Sequence, residues 1–570
     1  MPPTRVPLAR RLLARARLAL VGVAVVSLTA AAWIELPEIG GSDGRDAARS
    51  VAHDVVESKR PNIVVVMADD MRTDDLRFMP AVRRLLKDRG IEFRNSFSPY
   101  PLCCPARASF LTGQYAHNHH VYSHEEPWGF GSFDDRRTLA TALQDSGYQT
   151  GFIGKYLNGY GTQDSLVTGE SSFRYVPPGW TDWYAAVNRP ATSGYPSGGT
   201  YNYFHTLFNV NGDINDRYLG RYQTDVLGGF ARTLVTKYHR SAKPFFLYVS
   251  SVAPHIGGAR EPDDPRAIRR ANGNILQVKT PARPRWVRGK LDALVPRAAG
   301  RPVDGSPSEA DVSDKPPRIS GLPEPTPAEW GAIRESTRQR AEAEFVLDGE
   351  VAKLVAHLKA TGEYANTVFL FTSDNGFFLG EHRIPGGKIK AHEPSLRVPL
   401  LVAGRGIPHG RRFDPVTTPG VTATIADLAG ATMPFPADAA SLLPAIRYGD
   451  RGWTVPIVTE GRETTAAFPG DYRTTIGIRT AKWKYIRDAS GAEELYDLDR
   501  DPNELTGLQD VPAYRTILGQ LRTVWSTYKD CAGPACLEQL PAGLRRGPDE
   551  IAAATAKQSH GVYARYGYWR

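Results

Sequence analysis

The run Asn62–Ala68 (NIVVVMA) constrains the fold most, because it carries four β-branched residues in succession and no charge. A strand with one face in water alternates apolar and polar residues. A continuous apolar run of strand length marks burial on both faces, as in the centre of a parallel sheet. Similar runs recur at Thr150–Ile153, Phe245–Ser250, Val368–Thr372 and Val398–Val402, separated by helical patterns at Phe78–Arg89, Arg137–Asp145, Ala328–Ala360 and Val421–Leu428. Strands alternating with helices predict an α/β fold, with a large, mostly parallel sheet flanked by helices. The 570 residues exceed one ordinary domain. Residues 61–449 are read as the catalytic unit and 450–545 as a smaller α+β C-terminal domain. Short strand-like pieces in the latter (Thr474–Arg479, Trp483–Arg487) precede a helix near Ala513–Tyr528. Residues 546–570 are read as a tail, and the Pro- and Gly-rich residues 256–327 as a long surface excursion.

The N-terminus carries an address. Arg5, Arg10, Arg11, Arg15 and Arg17 precede an uncharged stretch of 17 residues, Leu18 to Ile34, with Ala30 and Ala32 forming an A-x-A site. Residues 1–34 are a signal peptide or an uncleaved membrane anchor, with the anchoring stretch at 18–34, and residues 35–60 are a linker. Either reading leaves the body secreted or extracytoplasmic, because the basic flank stays inside. Those five arginines supply more than half of the net charge of +9, so the basic balance argues little for nucleic acid, and no such partner is expected. Arg266 to Arg301 hold ten basic residues against one acid, Asp292. Such a run reads as a solvated face or as a contact for a polyanion. Four cysteines exclude a disulfide scaffold, but the C-x4-C pair Cys531 and Cys536 is expected to form a local disulfide in an exported chain.

Polar residues gather where the strands end. The first ends in Asp69-Asp70 and a later one in Ser373-Asp374-Asn375-Gly376. Ligands bind at the carboxyl ends of strands in open α/β sheets. Three carboxylates and an amide oxygen form an all-oxygen set suited to Ca²⁺, or Mg²⁺, rather than Zn²⁺. Taken singly, Asp-Asp is equally a helix cap and Asp-Asn-Gly a turn. In Cys103-Cys104-Pro105-Ala106-Arg107, Pro105 favours a helix start, which puts Cys103 at a helix N-terminus beside a cation. A thiol there is expected to be acidified and nucleophilic. The alternatives are an ordinary buried cysteine or a strained Cys103–Cys104 disulfide.

The C-x-P-x-R segment with Leu111-Thr112-Gly113 following resembles the signature of type I sulfatases, formylglycine-dependent enzymes of the alkaline-phosphatase-like superfamily. The resemblance spans roughly Pro61 to Leu508. It implies that Cys103 is oxidised to formylglycine by a formylglycine-generating enzyme, and that Asp69, Asp70, Asp374, Asn375 and the modified Cys103 hold the cation. It further implies catalytic roles for Arg107, Lys155, His255 and Lys388, with Lys390 competing for the last. A hydrated aldehyde would attack sulfur, and its second hydroxyl would then expel sulfate. One departure stands out. Many members read G-K-W-H-L-G, whereas here Gly154-Lys155-Tyr156-Leu157-Asn158-Gly159 has no histidine. His117, His119, His120 and His382 are the candidates for the missing base, and His117 and His382 are also expected to reach substrate. The K-Y-L-N-G-Y-G run, the cysteine pair and Asp311 to Pro316 look most like N-acetylglucosamine-6-sulfatases, which implies a sulfated carbohydrate substrate. The alternatives are a phosphomonoester or phosphonate monoester hydrolase of the same superfamily, and a catalytically inactive glycan-binding protein.

Overall fold

The computed structural model describes residues 60–568, apart from 196 and 464–466. The expected signal peptide or anchor (1–34) and nearly all of the linker (35–60) lie outside the described residues. No helix among the described residues is long and apolar enough to cross a membrane.

The strands in chain order are β1 (Asn62–Ala68), β2 (Ile91–Phe97), β3 (Gln149–Lys155), β4 (Asp182–Val187), β5 (Leu207–Val210), β6 (Asp213–Asn215), β7 (Phe245–Ser250), β8 (Ile268–Arg269), β9 (Ile275–Leu276), β10 (Thr367–Ser373), β11 (Leu400–Gly404), β12 (Gly410–Thr417), β13 (Ile457–Gly461), β14 (Thr475–Arg479), β15 (Trp483–Asp488) and β16 (Glu493–Asp497). Ten of them form one sheet in the order β12-β2-β11-β10-β1-β7-β3-β4-β5-β6. The central strands β10, β1, β7, β3 and β4 run parallel. Individual strands reverse: β5 is antiparallel to β4, and β11, read from its apolar run as one more parallel strand, is antiparallel to both β10 and β2. The apolar run reports double burial, which both pairings satisfy.

Strand β1 shows why its sequence does not alternate. Ile63, Val65 and Met67 enter one apolar layer, and Val64, Val66 and Ala68 the other. The first layer packs under the helices Cys103–Thr112, Leu139–Asp145 and Thr418–Ala429, the second under Gln223–His239 and Pro327–Ala360. Each fully buried Val or Ile stabilises by roughly 1.5–3 kcal/mol, so the sheet centre is the most secure platform in the chain. The 34-residue helix Pro327–Ala360 starts at a capping box: Thr326 Oγ1 accepts from the Glu329 N–H, and Glu329 Oε2 accepts from the Thr326 N–H at 2.7 Å.

The second sheet is antiparallel, β13-β14-β15-β16. The helix Arg515–Tyr528 covers it with Leu518, Leu521, Val524, Trp525 and Tyr528, a stripe at helical spacing. Cys531 and Cys536 are joined by a disulfide just beyond this helix. Two regions depart from expectation. Residues 546–570, read as a tail, contain the 19-residue helix Pro548–Tyr566, whose Thr555 Oγ1 accepts from Asn95 Nδ2 at 2.8 Å. The 256–327 excursion sends Val278, Ala298 and Ala299 into a buried cluster with Trp330 and Phe377. The basic run inside it is not a uniform solvated face. Arg283 is buried against Glu261, Asp263 and Glu342, and Arg270 bonds Glu329 at 2.6 Å. These acids lie outside the 266–301 window, so the window alone overstated its free charge.

Candidate active site

The parallel strands deliver side chains to one edge. Beyond β1 come Asp69 and Asp70, beyond β10 Asp374 and Asn375, at the end of β3 Lys155, and after β7 the turn to His255. The β1–β10 ladder runs into the site, since the Asp374 N–H donates to the Ala68 carbonyl at 3.1 Å. Gly154 lets β3 approach β7 just before Lys155. It has φ +101°, and a Cβ there would lie 2.0 Å from the Ser250 carbonyl oxygen.

The helix Cys103–Thr112 begins at Cys103, with Pro105 in its first turn. Cys103 and Cys104 are both free thiols, so they form no disulfide. The Cys103 Sγ lies 3.1 Å from Asp69 Oδ1 and 2.7 Å from Lys388 Nζ. One turn on, Arg107 is fully buried. Its Nε and Nη2 reach Asp374 Oδ2 at 2.9 and 2.8 Å, and its Nη1 donates to the Lys155 carbonyl at 3.0 Å and to Ser250 Oγ. Lys155 Nζ bonds Asp69 Oδ2 at 2.6 Å. Lys388 Nζ bonds Asp70 Oδ1, whereas Lys390 turns away to Glu463 at 2.8 Å. Geometry therefore separates two lysines that sequence left in competition. His255 gives its Nδ1 to the Ile256 carbonyl at 2.6 Å, which turns Nε2 to within 3.6 Å of Asp70 Oδ2.

Charge in this site is balanced but strained. Burial acts to raise the Asp69 pKa, yet Lys155, His255 and Arg107 outweigh it and hold the carboxyl well below the usual range. Asp70 is likewise lowered, chiefly by Lys388 against burial. Asp374 goes up, through burial and the neighbouring Asp69. Burial, followed by Asp374 and Asp69, also pushes the Cys103 thiol up, so the expectation of an acidified thiol is corrected. The helix terminus is present, but burial is the largest influence and the two carboxylates that face the sulfur act with it. Burial lowers His255 to about 4. Asp70 also has φ +67°, a left-handed backbone that a non-glycine residue adopts only when its surroundings impose it. Here its N–H donates to Asp374 Oδ1 at 3.1 Å, and its carbonyl accepts from Arg340.

The acids at the strand ends form a candidate metal site. Asp69, Asp70, Cys103 and His255 place ligand atoms within 4.8 Å of one another. Asp70 Oδ2 and the Asn375 side-chain oxygen are buried with no hydrogen-bond partner among the described residues. Orphaned buried oxygens carry a desolvation cost that a bound cation removes.

An open pocket of about 1040 Å³ leads to this cluster, lined among others by Asp70, His124, His255, Gln277, Lys279 and Lys388. His117 and His382 are not among the lining residues. His117 spends both ring nitrogens, on Glu460 at 2.8 Å and the Cys531 carbonyl at 2.6 Å. His382 is buried against Glu309 at 2.8 Å. Both are structural ties, and their expected substrate contact is corrected. His119 is likewise engaged, with Ser109 at 2.9 Å.

Sequence reasoning missed four contributors. Ser250 braces Arg107 and the Lys155 carbonyl. Tyr201 stacks on His255 with centroids 4.5 Å apart and lies under Lys155. Arg340, on the long helix, ties the Asp70 carbonyl to that of Pro254. His124 lines the pocket, and only its closeness to the His117–His120 group pointed to it. Support continues outward. Arg72 bonds the Phe377 carbonyl at 2.7 Å and Glu381 at 2.8 Å, joining the two loops that carry the acids, and Tyr568 near the C-terminus donates to the same Glu381 at 2.7 Å.

Comparison with known proteins agrees with this geometry. A family model described as Sulfatase matches residues 61–431, and one described as N-sulphoglucosamine sulphohydrolase, C-terminal, matches residues 380–529. The chain is 29% identical over 524 residues to an arylsulfatase of Volvox carteri, covering 84% of this chain and 76% of the relative. It is 28% identical over 523 residues to N-acetylglucosamine-6-sulfatase of Homo sapiens, covering 84% and 86%. A solved structure described as a complex with its substrate D-glucosamine-2-N,6-O-disulfate shares the fold, with TM-score 0.60, 21% identity and coverage of 83% of this chain and 98% of that one. The chain belongs to the sulfatase family.

Proposed function

We propose that this sulfatase removes the 6-O-sulfate of an N-acetylglucosamine-type sugar, using formylglycine made from Cys103 and a divalent cation, Ca²⁺ or Mg²⁺. One observation carries the reading: Cys103, Arg107, Lys155, His255 and Lys388 converge on the same acidic cluster at the floor of an open pocket. The sugar is taken from the names of the relatives and from the K-Y-L-N-G-Y-G run. The N-terminal segment and the Cys531–Cys536 disulfide support an extracytoplasmic body.

Asp69, Asp70, Asp374 and Asn375 would hold the cation, which when bound supplies positive charge against the sulfate oxygens and the nucleophile. Lys155, Lys388 and Arg107 are fixed cations in a pocket closed on one side, so they stabilise an incoming sulfate ester and the charge that builds on it. His255 presents Nε2 to the pocket, because its other nitrogen is committed to a carbonyl. A bound sulfate ester raises the depressed His255 pKa, which lets the ring hold a proton for the departing sugar oxygen. The high thiol pKa makes unmodified Cys103 a poor nucleophile and accords with a need for its conversion.

The test begins with mass spectrometry of the tryptic peptide 95–107 from protein made in a host that forms formylglycine. Conversion of the Cys103 thiol to an aldehyde is expected, and an unmodified thiol alongside a converted control sulfatase would sink the proposal. Matched aryl sulfate and aryl phosphonate kinetics then address the phosphonate alternative, with sulfate expected to win. N-acetylglucosamine-6-sulfate against its 3- and 4-sulfate isomers tests the position.

A further inference from the structure

A gem-diol nucleophile that loses sulfate must also lose a proton, and most groups in the pocket cannot take one. Lys155 and Lys388 already hold theirs firmly despite burial, because Asp69 and Asp70 face them. Arg107 does the same against Asp374. His255 is oriented toward Asp70. His117, His119 and His382 are bonded elsewhere.

His124 differs from all of these. It lines the pocket with Asp70, His255 and Lys388, and its buried Nε2 has no hydrogen-bond partner. Its position is built. The Tyr122 and Ser123 N–H groups donate to the Trp128 carbonyl at 3.2 and 3.3 Å, closing a loop with His124 on it, and Gln163 Nε2 reaches the His124 carbonyl at 3.4 Å. Gln163 Oε1 in turn accepts from the Gly131 N–H at 2.8 Å. A fixed loop presenting an imidazole with an unused buried nitrogen is the arrangement a proton acceptor requires.

We infer that His124 takes the proton from the second hydroxyl of the aldehyde hydrate at position 103 as sulfate departs, a role that rests on the formylglycine reading. The O–H electron pair becomes the second bond of the restored carbonyl. The carbon–oxygen bond to sulfate breaks, and sulfate leaves with that pair. The proton passes to His124 Nε2 and then to solvent through the pocket mouth. This assigns to a residue after the first helices the task for which Tyr156–Gly159 supplies no histidine.

The experiment uses the full chain with His124→Ala and His124→Gln, following the mass of peptide 95–107 before and after mixing with para-nitrophenyl sulfate. The resting variants are expected to carry the aldehyde, to release one equivalent of nitrophenol, and then to retain one sulfo group on the peptide. Steady turnover should fall on the order of 10²–10⁴-fold, and added imidazole should partly restore it in His124→Ala. Wild-type turnover, or a raised KM with no retained sulfo group, would overturn the assignment while leaving the sulfatase reading intact. A wild-type peptide without the aldehyde would overturn both.

Discussion

Two buried clusters of charge beside cavities, among the described residues, differ in what they could hold. At the strand ends Asp69, Asp70 and Asp374 are matched by Lys155, Lys388 and Arg107, yet Asp70 Oδ2, the Asn375 oxygen and His124 Nε2 remain unpartnered. Between the two sheets, Glu393 is clasped by Arg397, Arg479 and Lys484, Glu504 by Lys484, and Glu494 by Arg318 and His392. That second cluster borders a small cavity, also lined by Arg72, Glu381 and His382. Its carboxylates have their cations, although His392 Nδ1 and Asn503 Oδ1 make no hydrogen bond among the described residues. Neither burial nor charge therefore distinguishes a site from a joint. What distinguishes the two is the donor grouping: of these clusters, the one at the strand ends brings ligand atoms of Asp69, Asp70, Cys103 and His255 within 4.8 Å of one another, where a metal ion could sit.

The sharpest break of this comparison is to remove the nucleophile. Cys103→Ala should cut kcat by on the order of 10⁵-fold, to background, while leaving the melting temperature unchanged or raised, as checked by kinetics and calorimetry on one preparation. The joint should respond the opposite way. Glu393→Ala leaves Arg397, Arg479 and Lys484 buried without their shared anion and should cost about 3–5 kcal/mol in denaturant unfolding, with turnover per folded molecule intact. A stable Glu393→Ala protein would blur the distinction. Saturating Ca²⁺ or Mg²⁺, at roughly 100 times its Kd, should stabilise by about 2.7 kcal/mol. Chelator should remove that gain in the wild type, and Asp374→Asn should lack it from the start. Tyr568→Phe sharpens the boundary between support and site: losing its bond to Glu381 should weaken cation binding by about tenfold in titration calorimetry without unfolding the chain.

The smallest effect concerns pH. Burial opposes it, but Glu460 raises the His117 pKa above its ordinary 6.5, and His117 with Arg473 lowers Glu460 to about 2 from 4.5. A raised histidine pKa gives stability that is complete below the unfolded value and lost as pH climbs through the folded one. A lowered glutamate pKa gives stability present above its unfolded value and lost as pH falls toward the folded one. The advantage of wild type over His117→Gln should therefore be greatest between pH 4.5 and 6.5, on the order of 1 kcal/mol, and shrink on either side. A difference that failed to shrink on either side of this range would show that the His117–Glu460 bond is not an ion pair.

Much of the architecture was legible. The doubly buried strands announced themselves as unbroken apolar runs, because nothing polar is tolerated there except at an end. The same rule put Asp69, Asp70, Asp374 and Asn375 at the site. The antiparallel direction of β11 left no mark, since an apolar run reports burial and not polarity of pairing. The helix Pro548–Tyr566 was taken for a tail, although Pro548, Asp549 and Glu550 are first-turn residues of the usual kind.

Histidines show where sequence stops. His117, His124, His255 and His382 are chemically identical, and their tasks are set by partners distant along the chain. Glu460 and the Cys531 carbonyl claim His117, Glu309 claims His382, and the Ile256 carbonyl turns His255 to the acids. His124 is claimed by nothing at Nε2. Sequence determined which residues sit at the ends of the buried strands, because period and burial are local properties. The tertiary structure decided which titratable groups remain free, because a hydrogen-bond partner is a matter of distance in space.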